Sequence, residues 1–510
     1  MEVELKLLLA PDHAPALHAH PLLRQYALSE PHEQSMCDTY LDTPELQLRH
    51  SGAGLRVRSL ERGWVQTLKA GGGVAAGLHS RHEWESRLDS PEPDLDALRA
   101  QIDRKSAWRG ILHAAQLRQR LQPVFTTQVS RTVWELRLPQ GDEVEFVLDQ
   151  GDIRSGDKQV AVSEIEMELK SGNALHLFDF ALALLQDIPL QVGNVSKAER
   201  GYALFAPAPP SAVKASALKL SRRMTVEQVF QAIAANCLAQ IQANEAGLVQ
   251  AQDVESLHQM RVGLRRLRSA FGQFKDLLPL PAHLQEEIDW LGEQLGPARD
   301  WDVLAGATLP KLAAALQDQA AYAALQQAAR RKTDDMHAIA AAAVTSPRYA
   351  RLVLSLTRWL QGRGWREGMA AAECRRIDAA VPELARGLLA AGQRRLLKRG
   401  KKLRGAGPEA RHRVRIAAKK SRYATEFFQS LYPGKKVRPY IKALATLQDE
   451  LGWRNDAAVA ERLLRQLPEG QAHLDTPVAF LRGYLASRID GDDRKLRKLW
   501  KKFVQTRLAI

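Results

Sequence analysis

Three short stretches place charged side chains two residues apart with apolar ones between them. Glu2, Glu4 and Lys6 alternate with Val3, Leu5 and Leu7; Arg56 and Arg58 with Leu55 and Val57; Glu164, Glu166 and Glu168 with Ile165, Met167 and Leu169. Side chains on a strand alternate with period two, so each stretch reads as a strand with one charged and one apolar face. A charged face turned to water explains any one such strand. It explains poorly why several strands carry both signs on the same face. Strands closed into a barrel with the charged faces inward explain it better, and helices then cover the apolar outer faces. A lumen crowded with carboxylates and guanidiniums requires ions and anionic ligands, because unpaired charge is costly away from bulk water.

A second charged pattern has helical spacing. His258, Arg261, Arg265 and Arg268 fall at about 0°, 300°, 340° and 280° when each residue advances ~100°, a stripe roughly 80° wide. His412, Arg415, Lys419 and Arg422 repeat that stripe. A second element recurs in the same order: Leu295-Gly296 with Asp300, then Leu451-Gly452 with Asp456. The offsets are 154 residues for the first element and 156 for the second, which points to a duplicated helical bundle. Neither motif contains an acidic residue, and like charges four apart destabilise a helix. Two stripes brought together would form a groove for a long phosphate polymer; the alternative is a plain basic surface. His258 and His412 lack the carboxylate partners of a metal site, so they touch the anion or orient an arginine. The helices also lack the interleaved aromatics that stack single-stranded bases, so nucleic acid is the less expected partner.

The elements that must position these residues fall into two halves. At 510 residues the chain is too long for one ordinary core. Residues 1–205 hold 22 Lys+Arg and 29 Asp+Glu, a balance of −7 within a total of +15, which leaves +22 for the remainder. The second half is therefore the half that attracts polyanions. Proline-rich residues 206–219 read as a linker. Before it, strands are expected at 2–9, 36–42, 54–60, 64–70, 81–88, 125–138, 143–150 and 162–170, with helices at 13–28, 94–102, 111–121 and 173–186. After it, residues 220–508 read as helices throughout, in repeats of about 220–370 and 371–508. The expected architecture is α+β, an antiparallel β tunnel with a charged interior covered by helices, followed by an all-α domain of two duplicated bundles. Cys37, Cys237 and Cys374 form no metal-binding pair. The acidic opening Met1-Glu2-Val3-Glu4 is unlike a signal peptide, and no apolar run approaches a membrane span, so a cytoplasmic protein is expected.

The ordered set of motifs resembles a known family. Glu2-Val3-Glu4-Leu5-Lys6 is similar to the ExExK signature of the CYTH superfamily, the triphosphate tunnel metalloenzymes. Tyr40-Leu41-Asp42-Thr43, Arg56 with Arg58, Lys69, Glu83 with Glu85, Arg131, Asp149, Glu164-Ile165-Glu166-Met167-Glu168, Ser196-Lys197 and Arg200-Gly201-Tyr202 follow in family order. ExExK alone is weak; the ordered set is specific, and it covers about residues 1–205. The second half resembles the CHAD domain over about 220–508, and the pairing resembles bacterial inorganic triphosphatases.

That resemblance implies metal-dependent hydrolysis of inorganic triphosphate, with inorganic polyphosphate as the partner of the helices. It implies Arg56, Arg58, Lys69, Arg131, Lys197 and Arg200 as phosphate-gripping residues. Glu2, Glu4, Asp149, Glu164 and Glu166 become metal ligands, and Glu2, Glu4, Lys6 and Glu166 the catalytic set. Hard oxygen ligands without Cys or His indicate Mg2+ or Mn2+. Glu83 and Glu85 remain open between metal ligands, water-positioning groups and partners of the arginines. Thiamine triphosphate, nucleoside triphosphates, an RNA 5′ end and ATP cyclisation remain alternatives for the same tunnel, and a non-catalytic polyphosphate-binding or nucleic-acid-binding adaptor for the whole chain. Tyr40 and Tyr202 read as packing residues, and Asp42-Thr43 as a turn and helix cap.

Overall fold

The computed structural model describes all residues except 113–114, 317, 402, 404–406, 468–471, 490–493, 507 and 509–510. Contacts divide the chain into two compact units, Met1–Pro209 with Thr345–Gly362, and Pro210–Val344 with Arg363–Ile510.

The first unit is built on strands β1 (Glu2–Leu9), β2 (His32–Asp42), β3 (Ala53–Ser59), β4 (Trp64–Ala75), β5 (Leu78–Leu88), β6 (Gln122–Arg137), β7 (Glu143–Ser155), β8 (Lys158–Ser171) and β9 (Leu190–Val192). Their order is β5-β4-β3-β2-β6-β7-β8-β1-β9, and β5 also pairs with β1, which closes eight strands into a ring. Every pairing is antiparallel. The register aligns the charged rows. Glu4 lies opposite Glu168 and Lys6 opposite Glu166 on β8. Asp149 lies opposite Glu164, and Glu145 opposite Glu168. Arg131 is opposite Asp149, and Lys69 opposite Glu83. Directly paired residues share a sheet face, so these rows all turn the same way.

The opposite faces are apolar and covered. Leu55, Val57 and Leu68 pack with Leu95, Leu98, Leu112 and Leu117 from the helices that follow β5. Phe180 of the Leu175–Leu184 helix meets Phe146 of β7 edge-on, with ring centroids 6.2 Å apart. The expected 13–28 helix is broken: Ala14–His18 and Pro21–Tyr26 are separate helices. Pro21 disfavours helical geometry at His20, which is extended and caps the second helix by accepting from the Leu22 N–H. The expected 111–121 helix is divided between Ala107–Leu112 and Ala115–Arg120; residues 113–114 lie outside the described residues.

Residues 206–220 hold no helix or strand. The Pro347–Gln361 helix belongs to the first unit, a placement the sequence reading did not foresee. Arg358 donates from Nε and Nη2 to Asp179 at 2.8 and 3.1 Å, and Arg351 donates to the Leu185 carbonyl at 2.9 Å.

In the second unit the two histidine motifs lie on the Val254–Phe274 and Pro408–Phe428 helices. Both have 21 residues and their starts are 154 apart, so the duplication reaches the helix boundaries. Asp253 caps the first by accepting from the Ser256 N–H at 2.7 Å. The two Leu-Gly…Asp segments lie within the Ala282–Val303 and Gly434–Leu464 helices.

Candidate functional site

The ring encloses a cavity of about 430 Å³ lined by Glu2, Glu4, Lys6, Arg56, Arg58, Lys69, Arg131, Glu166 and Lys197 among others. The inward rows are fixed by strand parity. Lys197 arrives differently, at the first position of the Lys197–Phe205 helix, behind a Ser196/Glu199 capping box. Gly201 lets that helix approach β6, because a Cβ there would lie 2.2 Å from the Phe125 ring. The Arg200-Gly201-Tyr202 motif thus combines a charge, a close approach and an anchor: Tyr202 donates to Asp42 at 3.1 Å and stands edge-on to Phe125. Asp42 also accepts from the Leu48 and Arg49 N–H groups at 2.9 and 3.0 Å, and so tethers a helix start.

The charges inside are heavily paired. Asp38 accepts from Arg58 at 2.7 and 3.0 Å and from Arg56 at 3.1 Å. Lys69 donates to both Glu2 oxygens at 2.8 and 2.7 Å and lies 3.5 Å from Glu83. Arg56 is 3.9 Å from Glu83. Arg131 grips Asp149 with two bonds of 2.7 Å and reaches Glu166 at 2.9 Å. Lys6 is 3.0 Å from Glu4 and also donates to Glu166.

Asp149, Glu164 and Glu166 form a group with oxygens within 4.8 Å of one another. The Lys197 ammonium already lies among them, 2.7 Å from Asp149, 2.5 Å from Glu164 and 2.8 Å from Glu166. Arg200 pairs with Glu164 as well. Burial opposes ionisation of Asp149 and Glu166, but it is outweighed. Lys197 and Arg131 hold Asp149 below the usual carboxylate range, and Lys197, Lys6 and Arg131 hold Glu166 well below it. Asp149 and Glu164 do not line the cavity, and neither does Arg200.

The balance differs on the neighbouring stretch of wall, where Glu2, Glu4, Glu145 and Glu168 face the cavity. Lys170 reaches Glu168 at 3.0 Å and Glu145 at 3.3 Å. Burial, with Glu2 and Glu145 nearby, still pushes the Glu168 carboxyl upward against that lysine. Four carboxylates thus share three lysines there, Lys69, Lys6 and Lys170. The lining contains no Cys or His, so this corner offers only oxygen ligands, the donor set of a hard cation.

Asp38, Arg81, Glu145 and Lys170 also line the cavity, and the sequence reading did not single them out. Their signal was parity: Asp38 shares a strand face with Met36 and Tyr40, and Arg81 with Glu83 and Glu85. Tyr40 stacks on Phe125 with ring centroids 4.4 Å apart. Tyr40, Arg56, Lys69, Arg81 and Ala198 are shared with a second cavity of about 520 Å³, whose far wall includes Arg49 and Trp108.

In the helical unit the two stripes come together. Burial, with Arg265 from one repeat and Arg415 from the other, lowers the Lys419 pKa to about 7. Burial and the neighbouring arginines lower Arg261 to about 10, and burial with Arg299 lowers His258 to about 4, so His258 is a neutral ring at physiological pH. Among the described residues, no ion pair or hydrogen bond engages Arg261, Arg265 or Lys419, and the Arg265 Nε is buried without a partner. The stripe is not uniform. Arg268 is tied to Asp289 at 2.7 Å and to the Ile288 carbonyl at 3.0 Å. Arg422 lies 3.5 Å from Glu426, and Arg415 donates to Asn455 at 2.8 Å. Acidic relief, absent within the motifs, comes from other positions, including Asp300 and Asp456 of the Leu-Gly…Asp segments. His412 is exposed and lines a separate cavity with Arg411, Arg415 and Arg454.

A closed charged ring followed by a duplicated helical bundle defines a tunnel-type β domain followed by an α-helical domain. Residues 1–202 match the CYTH domain family and residues 232–465 the CHAD domain family. The chain is thus a CYTH–CHAD protein. A protein named inorganic triphosphatase from Haemophilus influenzae is 35% identical over 204 residues, 40% of this chain and 54% of that protein, so the match spans about half that relative's length. The crystal structure of the CHAD domain from Ricinus communis is 37% identical, with a TM-score of 0.53, covering 58% of this chain and 98% of that one. A putative adenylyl cyclase from Hippeastrum, described as having a dominant triphosphatase activity, is 19% identical with a TM-score of 0.30, covering 40% of this chain and 95% of that one. No helix among the described residues is long and apolar enough to cross a membrane.

Proposed function

We propose that the CYTH unit hydrolyses inorganic triphosphate to diphosphate and phosphate with Mg2+ or Mn2+, and that the CHAD unit binds inorganic polyphosphate. The observation that carries the first part is one cavity walled by Arg56, Arg58, Lys69, Arg131 and Lys197 on some strands and by Glu2, Glu4, Glu145 and Glu168 on others. Triphosphate repels nucleophiles through its own charge, so a catalyst must neutralise it, hold it in line and orient a water. Arginines suit this task because their planar forks meet two oxygens at once. Asp38 holds the Arg56 and Arg58 forks in place before substrate arrives. Glu166 accepts from Lys6, Arg131 and Lys197, which makes it a positioning group for three cations.

Glu2, Glu4, Glu145 and Glu168 would hold the metal ion, which supplies positive charge against the phosphate oxygens and polarises the bond to be broken. Asp149 and Glu164, expected as ligands from the sequence, serve in this reading as anchors for Arg131, Lys197 and Arg200. Lys6 orients Glu4 and Glu166. The second cavity leaves room for a group attached to the triphosphate.

Phosphate release by the full chain from triphosphate, thiamine triphosphate, ATP and 5′-triphosphorylated RNA tests the assignment. Triphosphate is expected to be fastest. Equal or faster turnover of ATP would replace the substrate, and no turnover of any would leave a binding adaptor. For the CHAD unit, Arg261, Arg265 and Lys419 make no ion pair or hydrogen bond among the described residues, and a polyanion would supply one. Polyphosphate is expected to outcompete RNA at fixed salt. A cytoplasmic setting is part of the proposal, with Cys37, Cys237 and Cys374 all free thiols.

A further inference from the structure

The Gly434–Leu464 helix contributes both to the basic cluster and to a separate cavity. Asn455 and Asp456 look toward the basic cluster: Asn455 accepts from Arg415 at 2.8 Å, and the Asp456 carboxylate acts on both Arg415 and Lys419. Trp453 and Ala457 line a separate cavity of about 190 Å³. Asp456 lines that cavity too, so the two features abut along one helix edge. Tyr484, Val303, Thr308 and Lys311 complete much of the wall. Here the Ala282–Val303 helix runs into a π-helical turn, Leu304–Thr308, a local widening often found at functional sites.

The aromatic is not part of the repeat. Trp453 follows Leu451-Gly452, and the equivalent position after Leu295-Gly296 is Pro297. The bundle therefore does not need an indole at this point. Trp453 is 38% exposed, a large apolar surface left open beside a cationic cluster. The cavity falls below the roughly 300 Å³ of a drug-sized site, yet it suits one flat ring system. An indole and a phenol supply faces for stacking, and the Asp456 carboxylate can accept from an amino group on a ring edge.

We propose that the CHAD unit binds a purine nucleoside polyphosphate, with the base in the Trp453–Tyr484 cavity and the phosphate chain on Arg265, Arg415 and Lys419. The proposal rests on the groove reading for its phosphates and adds an end-group to it. The charge complementarity selects the occupant: an apolar ligand would leave the cations unmatched, and a bare phosphate chain would leave the aromatic cavity unused.

The test compares adenosine 5′-tetraphosphate with inorganic tetraphosphate by titration calorimetry on the full chain, with EDTA present to suppress turnover. The nucleotide is expected to bind about tenfold more tightly, the scale of one stacked base. Trp453→Ala should remove that advantage and leave inorganic tetraphosphate unchanged, while Trp453→Phe retains it. Arg265→Gln should weaken both ligands. Equal binding of the two ligands by the parent, or equal loss of both in Trp453→Ala, overturns the base site. Failure of Arg265→Gln to weaken either ligand instead sinks the groove reading. Trp453-dependent binding of an oligoribonucleotide, with none for the mononucleotide, would overturn the proposal in favour of nucleic acid.

Discussion

The tunnel and the basic cluster of the helical unit present opposite electrostatic arrangements. In the tunnel, cations and carboxylates interleave: Arg131 holds Asp149 and Glu166, Lys197 reaches Asp149, Glu164 and Glu166, and Asp38 holds Arg56 and Arg58. In the groove, one sign dominates, and Arg261, Arg265 and Lys419 have no ion-pair partner among the described residues. Buried pairs fix geometry but become costly when one member is removed. Unpaired like charges keep their donors free, at the expense of the helices that carry them. Under the proposed function, a site acting on three phosphates in line benefits from the first arrangement, and a surface holding a chain of variable length from the second.

Removing a cation should therefore have opposite consequences in the two places. Arg131→Ala leaves Asp149 and Glu166 short of a partner and should destabilise the first unit by about 3–5 kcal/mol, read as a lower urea midpoint. A shift below about 1 kcal/mol would show that the tunnel pairs are not a structural framework. Glu4→Gln should cost roughly 10²–10³ in the rate of triphosphate hydrolysis, while polyphosphate affinity stays the same. Parallel loss of both would dissolve the division of labour between the units.

The groove should report its crowding through pH. Burial, then Arg265 and Arg415, hold Lys419 near 7 in the free protein, with Arg422 adding to them and Asp456 opposing. A bound polyanion favours the charged form and raises that value, so binding takes up a proton. Polyphosphate affinity should be flat below about pH 7 and fall above it, by at most about tenfold per unit. Lys419→Arg should flatten that fall, and an unchanged profile in this variant would remove Lys419 from the contact. The smallest effect belongs to Arg265→Gln. It should lower the slope of log affinity against log salt by about 1, and raise stability by a few tenths of a kcal/mol through relief of repulsion.

Much of this contrast was legible in the residues, and the reason is periodicity. Glu2, Glu4 and Lys6 carry their face in their spacing, so the inward wall followed once the strands were read. The helical stripe was legible for the same reason, and the 154-residue offset reached the helix ends. What escaped was pairing across elements. Nothing local in Met36-Cys37-Asp38 indicates that Asp38 faces two arginines from β3. The Lys197 ammonium among three carboxylates depends on a helix start meeting two strands. Asp289, Asp300 and Asp456 relieve the basic stripe from neighbouring helices, outside the motif itself. The break before Pro21 was visible in sequence but outweighed by the apolar pattern around it. The Pro347–Gln361 helix is buried on many sides, and such a helix does not declare which surface it will choose.

The most direct measurement is the initial rate of phosphate release from inorganic triphosphate by the full chain as Mg2+ or Mn2+ is titrated from zero. The account expects no release in EDTA and a saturable rise with the cation. Release at the same rate in EDTA, or none at any cation concentration, would contradict it.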